Sequence, residues 1–382
     1  MDYNVFHPEH QQFRQQVRRF LADRVTPHAD EWARERRVPR EIWQEMGRLG
    51  FLGFCYDPVY GGSGADELYR VVLNEEMARS DAGGFCLAVT GHNDMSTTYI
   101  NLLGTHEQKQ KWLAPCIAGE KVCAIAVTEP GAGSDVAGLT TRADRVGDRY
   151  VINGQKTFIT NGHYGDVLVT AVKTDMKATP PHKGISLFVI EKGAPGVTSR
   201  KLEKIGAHAS DTAEIFFDQV EVPVENLLGA EGQGFYAIMA NFQMERLAIG
   251  VLCVATAQHI LEKVLEHARQ RVAFGKPIAK FQVVRHKLVD MATSIELNRA
   301  LAYQCAAQYA RGADVTKEIS MLKASAAEMV NRVAYDATQL YGGYGFMAEY
   351  EVARLYADLR PVSIAGGTTE IMKDIIGRLM GL

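Results

Sequence analysis

The sequence predicts an α+β protein in which a helical unit, a strand-rich unit and a second helical unit follow one another along the chain. Three observations carry this. Apolar residues recur at helical spacing from about Pro8 to Ala118. Runs of β-branched and aromatic residues, bounded by turn signals, occupy about Val122 to Gly229. Long apolar helical segments then fill Gly234 to Leu382. Consecutive zones of this kind fit separate domains better than an alternating βαβ sheet. The boundaries are drawn at 1–120, 121–230 and 231–382, and 382 residues suffice for two or three packed units.

In the first zone Val17, Phe20, Leu21 and Val25 share one helical face, and Glu67 to Arg79 and Phe85 to Leu103 continue the pattern. Asp57-Pro58, Gly61-Gly62 and Gly104 separate these segments. In the second zone Tyr150-Val151-Ile152 precedes Asn153-Gly154, a dipeptide that tolerates positive φ and predicts a hairpin turn with Thr157 to Thr160 as the returning strand. Val167 to Val172, Ile185 to Ile190 and Ala213 to Val222 read as further strands, broken by Pro180-Pro181 and Gly193 to Gly196. In the third, Phe242 to Ala268 is apolar on most of its circumference, as a helix inside a bundle must be. Phe281 to Ala310 and Glu318 to Tyr341 follow it.

Composition narrows the function. Hydrophobic residues make up 47% and charged residues 23%, with a net charge of -3, the balance of an ordinary globular protein. No basic block stands out as a nucleic-acid footprint. The densest, Arg34 to Arg40, is interrupted by Glu35 and Pro39 and reads as a solvated helix end. The first residues lack an apolar signal core, and Asp2 and Glu9 argue against a mitochondrial presequence. By this reading no apolar stretch approaches the roughly 20 residues that span a bilayer, so no membrane is predicted. The six cysteines form no CxxC pair and the 11 histidines no HExxH pattern, so a cytoplasmic location without a metal is expected.

Five short motifs carry chemistry. Thr128-Glu129-Pro130-Gly131-Ala132-Gly133-Ser134-Asp135 has glycines that let backbone approach a ligand, and a serine donor; taken alone it is a Gly-rich turn, without the third glycine and helix of a dinucleotide fingerprint. Gln155-Lys156-Thr157-Phe158-Ile159-Thr160-Asn161-Gly162 is a strand ending in a turn. Arg271-Val272-Ala273-Phe274-Gly275 with Gln282 could hold a phosphate, stack on a flat ring and bond its polar edge; the bland reading is a helix stopping at Gly275. Gln339-Leu340-Tyr341-Gly342-Gly343-Tyr344-Gly345 offers backbone N–H groups to an anionic pyrophosphate. Ala365 to Met372 contains Gly366-Gly367-Thr368-Thr369-Glu370, equally readable as a loop capping the last helix.

Taken together, in this order and over nearly the whole chain, these motifs resemble the acyl-CoA dehydrogenase family, with TEPGAGSD the most specific element. The resemblance implies an N-terminal α-helical domain, a middle β-domain of antiparallel strands and a C-terminal four-helix bundle. It implies FAD as cofactor, an acyl-CoA substrate, an electron-transfer flavoprotein as acceptor and a homotetramer, or at least a homodimer. It places Ile125, Val127, Thr128, Gly133, Ser134, Phe158, Ile159 and Thr160 along the flavin, with Phe158 where many members carry tryptophan. Arg271, Phe274 and Gln282 fall where the family binds the adenine and diphosphate half of FAD. Gln339, Gly342 and Gly343 fall where it reaches the FAD of a neighbouring subunit, and Thr368 and Glu370 where it contacts FAD near the C-terminus. Ser134, Tyr236, Gln243, Met244, Arg246 and Gly367 match positions that hold acyl-CoA.

The reaction removes an α-proton and moves a hydride from the β-carbon to flavin. The base must be a carboxylate whose pKa burial raises toward neutrality, and the thioester oxygen needs hydrogen-bond donors as charge develops. Most family members carry that glutamate in an E-G-T pattern near the C-terminus. Here Gly366 stands in its place; a glycine cannot be a base but can still donate its backbone N–H to the thioester oxygen. The long-chain and isovaleryl-type members supply the base from a helix reading E-R-L. This chain reads Gln243-Met244-Glu245-Arg246-Leu247, which makes Glu245 the expected base. Neighbouring helical residues point about 100° apart, so Arg246 turns toward the CoA or a structural partner. The competing readings are a structural Glu245–Arg246 pair in a non-catalytic CoA- or flavin-binding homologue, and an oxidase passing electrons to oxygen. Gly-Gly-Thr-Thr-Glu-Ile-Met and His92 to Ile100 resemble the long-chain members, and Phe242-Gln243 the citronellyl-CoA type.

Overall fold

The computed structural model describes residues 5–382, so Asp2 lies outside it. Helix α1 (Pro8–Phe20) buries Phe13, Val17 and Phe20, and runs into a wider turn over Leu21–Val25 that buries Leu21 and Val25. The periodic stripe of the sequence is the face turned inward. Helix α2 (Leu68–Met77) packs between α1 and the C-terminal bundle. The segment 83–103 is helical throughout, with a π-helical stretch at Gly91–Ser96 that buries His92, Asn93 and Asp94.

The basic run lies at a helix end, with Arg34 and Arg37 exposed, but Arg36 and Arg40 are also engaged by the strand unit. Arg36 pairs with Glu203, Arg40 Nη1 donates to Asp166 at 2.5 Å, and Lys201 Nζ donates to the Arg36 carbonyl at 3.0 Å. These charges face acidic residues of the strand unit and pin the first helices to it.

The strands are β1 (Cys123–Ala126), β2 (Arg142–Val146), β3 (Arg149–Thr160), β4 (Val167–Lys173), β5 (Ile185–Glu191), β6 (Val197–Lys201), β7 (Thr212–Pro223) and β8 (Leu227–Leu228). Their order is β6-β7-β3-β2-β4-β5-β8, with β1 beside β4. Most neighbours are antiparallel as expected, but β1 and β2 each pair with β4 in parallel, so the sheet is mixed. Parallel pairing needs a long connection, and between β1 and β4 the β2–β3 hairpin supplies it.

The turn expected at Asn153-Gly154 is absent. Strand β3 runs unbroken through it, and the hairpin closes at Gly147-Asp148, with Val146 opposite Arg149 and Gly147 at φ 62°. Gly154 instead marks a register irregularity against β7, where an added Cβ would meet Thr141 Oγ1 at 2.5 Å. Close approach of two backbones, rather than a turn, is what requires glycine there.

The C-terminal unit is a bundle of α3 (Gly234–Gln270), α4 (Gln282–Tyr309), α5 (Thr316–Tyr341) and α6 (Thr369–Leu379) around Ile260, Val264, Ile319, Leu322, Val330 and Ala337. The expectation that no stretch reaches membrane length needs correction. By length and composition α3 could cross a bilayer, with a window of mean hydropathy 1.4, but 67% of that window is buried in the protein. A helix surrounded by other helices is apolar all round for the same reason a membrane span is.

Candidate active site

Helix α3 carries Glu245 into the junction between the bundle and the loop before α6. Its side chain is 6% exposed. A Cβ built on Gly366 would lie 3.1 Å from Glu245 Oε1 and 2.7 Å from Ile249 Cδ1. The two positions that the sequence brought up as alternatives therefore occupy one volume. Burial pushes the Glu245 carboxyl up to about 7, against the opposing pull of Arg246 and Lys323. No hydrogen bond to a described residue holds the carboxylate down. Poised near neutrality and unspent on the protein, it can accept a proton from a bound ligand.

Two cations hold the loop beside it. Arg246 Nε donates to the Gly366 carbonyl at 3.2 Å, with its guanidinium 5.1 Å over the Phe242 ring. Lys323, fully buried on α5, donates to the Gly367 carbonyl. Of the two roles left open for Arg246, the geometry shows the structural partner. Gly366 and Gly367 have φ of 66° and 95°, which favour glycine. The N–H groups of residues 366, 367 and 368 donate to no described acceptor. Thr368 caps α6, its hydroxyl accepting from Ile371 N at 3.3 Å, and Glu370 lies in the first turn of that helix. Tyr236 sits at the start of α3, half-exposed, with its hydroxyl 3.2 Å from His182 Nε2. Gln243 lies two turns further on and is half-buried, whereas Met244 is buried.

On the sheet, Ile125 lies in β1, and Thr128 continues that line, its carbonyl accepting from Thr157 N at 2.9 Å. Glu129 and Ala132 bond each other's backbones around Pro130-Gly131. Added Cβ atoms at Gly131 and Gly133 would meet nothing within 4 Å, and Gly133 and Ser134 are exposed. A bulge between Lys156 and Ile159 leaves Phe158 at φ 59° and 68% exposed, while Ile159 is buried and Thr160 half-buried. A non-glycine residue is uncommon in that conformation, and here it holds a large apolar ring exposed.

The RxxFG segment is not a helix stopped at Gly275. Helix α3 ends at Gln270, and Val272–Ala273 pairs with Lys276–Pro277 in a tight hairpin whose tip is Phe274-Gly275. Phe274 stands 95% exposed there. Arg271 shares one cavity of about 480 Å³ with Gly342, Gly343, Tyr341 and His267. Gln339 and Gln282 lie on exposed turns of α5 and α4, and the Gly342 N–H is taken by the Gln339 carbonyl. Residue 271, expected at the adenine and diphosphate half of FAD, and residues 342–343, expected at the FAD of a neighbouring subunit, face the same space.

Comparison with known proteins resolves what this arrangement is. Three family models match in succession: the N-terminal domain of acyl-CoA dehydrogenase over residues 7–120, its middle domain over 124–220 and its C-terminal domain over 232–381. The mouse (Mus musculus) mitochondrial long-chain specific acyl-CoA dehydrogenase is 41% identical over 375 residues, 98% of this chain and 87% of that protein. The chain belongs to the acyl-CoA dehydrogenase family. The mitochondrial isovaleryl-CoA dehydrogenase of potato (Solanum tuberosum) is 39% identical, covering 98% of this chain and 91% of that protein. The crystal structure of an acyl-CoA dehydrogenase from Geobacillus kaustophilus superposes with a TM-score of 0.97 at 46% identity, over 99% of each chain.

Acyl-CoA dehydrogenases are FAD flavoproteins, and the activity of the family is FAD-dependent dehydrogenation of acyl-CoA. The residues present fit that cofactor. An exposed phenylalanine ring at a strained bulge, open glycines beside it, and a guanidinium facing a glycine-lined cavity match a flat ring system joined to a diphosphate.

The groups that hold these surfaces in place were not among the residues expected from sequence. Glu129, inside TEPGAGSD, accepts from Thr140 N, Thr140 Oγ1, Thr141 N and Lys156 Nζ at 2.6–2.9 Å. Burial opposes its ionisation, but Lys156 and these hydrogen bonds outweigh it and bring the carboxyl down to about 2. Lys156 also donates to the Val127 carbonyl at 3.0 Å. Lys323 had one signal, a lysine within the otherwise small and apolar run Met321 to Ala327.

Proposed function

We propose that this acyl-CoA dehydrogenase acts on a medium- or long-chain or branched acyl-CoA to give the trans-2-enoyl-CoA, with Glu245 as base and an electron-transfer flavoprotein as acceptor. The observation that carries the reading is the buried Glu245 carboxylate, near-neutral in pKa and without a hydrogen bond to any described residue, in the volume a loop glutamate would fill. Glu245 takes the proton from the α-carbon. The Gly366 N–H, which has no described acceptor, donates to the thioester oxygen as charge develops on it. Bound FAD supplies the hydride acceptor for the β-carbon.

Thr128, Gly133, Ser134, Phe158 and Thr160 hold the flavin half. Arg271, Phe274, Gln282, Gln339, Gly342 and Gly343 grip the remainder of a single FAD, that of a neighbouring subunit; the cavity shared by residues 271 and 342–343 supports one ligand for both motifs. Tyr236, Gln243 and Ser134 are assigned to acyl-CoA. A homotetramer and the acceptor protein follow from the family resemblance. A cytoplasmic location is supported by six cysteines, none of them paired.

The test is anaerobic mixing of the yellow, FAD-loaded protein with short, medium, long and branched acyl-CoAs. Rapid bleaching by one class supports the reading and identifies the substrate. Absence of bleaching across the series would defeat it, and hydrogen peroxide formed in air at the rate of turnover would favour an oxidase.

A further inference from the structure

Among the described residues, the buried lysine of the bundle has no carboxylate within hydrogen-bonding distance. Lys323 is fully buried, and its ammonium bonds the Gly367 carbonyl. An ammonium taken out of water is expensive unless something compensates it. What it faces is the active site. Glu245 and Arg246 approach it from α3, Cys253 from the same helix two turns on, and Glu370 from α6. Around Glu245 itself stand Arg246 on its own helix, Lys323 from α5 and Tyr99 from the helix over Thr97–Leu103, with the Gly366 backbone alongside. Burial keeps the Cys253 thiol protonated, pushed up to about 12, so it adds no charge.

The backbone geometry gives the lysine a task. In a trans peptide the C=O of one residue and the N–H of the next point in opposite directions. Arg246 fixes the Gly366 carbonyl and Lys323 the Gly367 carbonyl, so the N–H groups of Gly367 and Thr368 point away from the two cations. Gly366 and Gly367 have no side chains to hold the loop, and both sit at positive φ. The lysine is the second of the two polar clamps that replace them.

We propose that Lys323 is a positioning residue for the dehydrogenation: its ammonium clamps the glycine loop beside Glu245 through the Gly367 carbonyl. Its charge also opposes the effect of burial on the Glu245 carboxyl. This rests on Glu245 being the base. Lys323→Gln keeps a donor for the carbonyl but removes the charge, whereas Lys323→Met removes both.

The measurement is the pH dependence of kcat/KM and kcat for FAD-loaded wild type, both variants and Lys323→Arg. The acid limb of kcat/KM reports ionisation of the base in free enzyme. It should move to higher pH in both neutral variants, because burial of Glu245 is then less opposed, and stay near its wild-type position in Lys323→Arg. In Lys323→Met, kcat should also fall on the order of 100-fold, the loss that displacing a reacting group by about 1 Å produces, with KM little changed. Lys323→Gln should lose less.

An unmoved acid limb in both neutral variants, or failure of both to retain FAD, would overturn the proposal. Glu245→Gln is measured alongside. If it stays active, the base lies elsewhere; if it is inactive while the Lys323 variants match wild type, only the role of Lys323 is wrong.

Discussion

Glu129 and Glu245 are the same residue type and nearly equally buried, at 5% and 6% exposure, yet one carboxyl is held at about 2 and the other at about 7. Burial penalises the charge in both. Glu129 answers it with two backbone N–H groups, a hydroxyl and a lysine at 2.7 Å, and becomes a permanent anion that braces the flavin-side loop. Glu245 has two cations nearby but no direct bond to a described residue, so its proton affinity stays high. A structural carboxylate is saturated with donors, and a catalytic one is left wanting a proton.

The sharpest way to break this contrast is to neutralise each glutamate or its partner. Glu245→Gln should reduce turnover by roughly 100- to 10,000-fold, the usual worth of a general base, with FAD content and KM preserved. Steady-state kinetics near the wild-type rate would erase the distinction. Lys156→Met should do the reverse kind of damage. It strands a buried anion, so the protein should lose about 3–5 kcal/mol in denaturant unfolding and release FAD more readily.

The same substitution of Glu245 should stabilise the fold. Its folded pKa of about 7 lies above the ordinary 4.5, so native stability is lost as pH rises from 4.5 to 7 and the loss is complete above that. Glutamine never ionises. Glu245→Gln should therefore be more stable than wild type at pH 8 by up to about 3 kcal/mol and equal to it near pH 4, measured by denaturant midpoints. For Glu129 the sign is opposite: stability is present above 4.5 and is lost as pH falls toward about 2. Glu129→Gln should therefore be destabilised at pH 7.

The smallest effect should come from moving the base. Gly366→Glu in a Glu245→Gly background puts a carboxyl into the vacated volume, but φ of 66° strains any side chain there by roughly 1–2 kcal/mol. The double variant should regain activity over Glu245→Gly while staying about tenfold or more below wild type. No recovery with FAD bound would show that shared volume does not suffice for shared function.

The order of helices and strands was legible in hydrophobic periodicity, because each period marks a buried face, as Val17, Val169 and Val264 illustrate. What misled were local signals that tertiary contacts override. Asn153-Gly154 has turn chemistry, but the approach of Thr141 uses the glycine inside a strand. Gly275 ends a hairpin tip rather than a helix. At the site, the glutamate and the glycine were readable from motif pattern, and their convergence was not, since 121 residues separate them in the chain. The supporting cations were hidden for a simple reason: a buried lysine and a solvated one look alike until the surroundings are known.

The volume shared by Glu245 and Gly366 also constrains how this arrangement could be exchanged for the commoner one. Adding a loop glutamate first would crowd two carboxylates together, where both cannot ionise at once, and deleting the helix glutamate first removes the proposed base. Exchange of one layout for the other therefore calls for both positions to change together, though a Cβ at residue 366 lies only 3.1 Å from the Glu245 carboxylate.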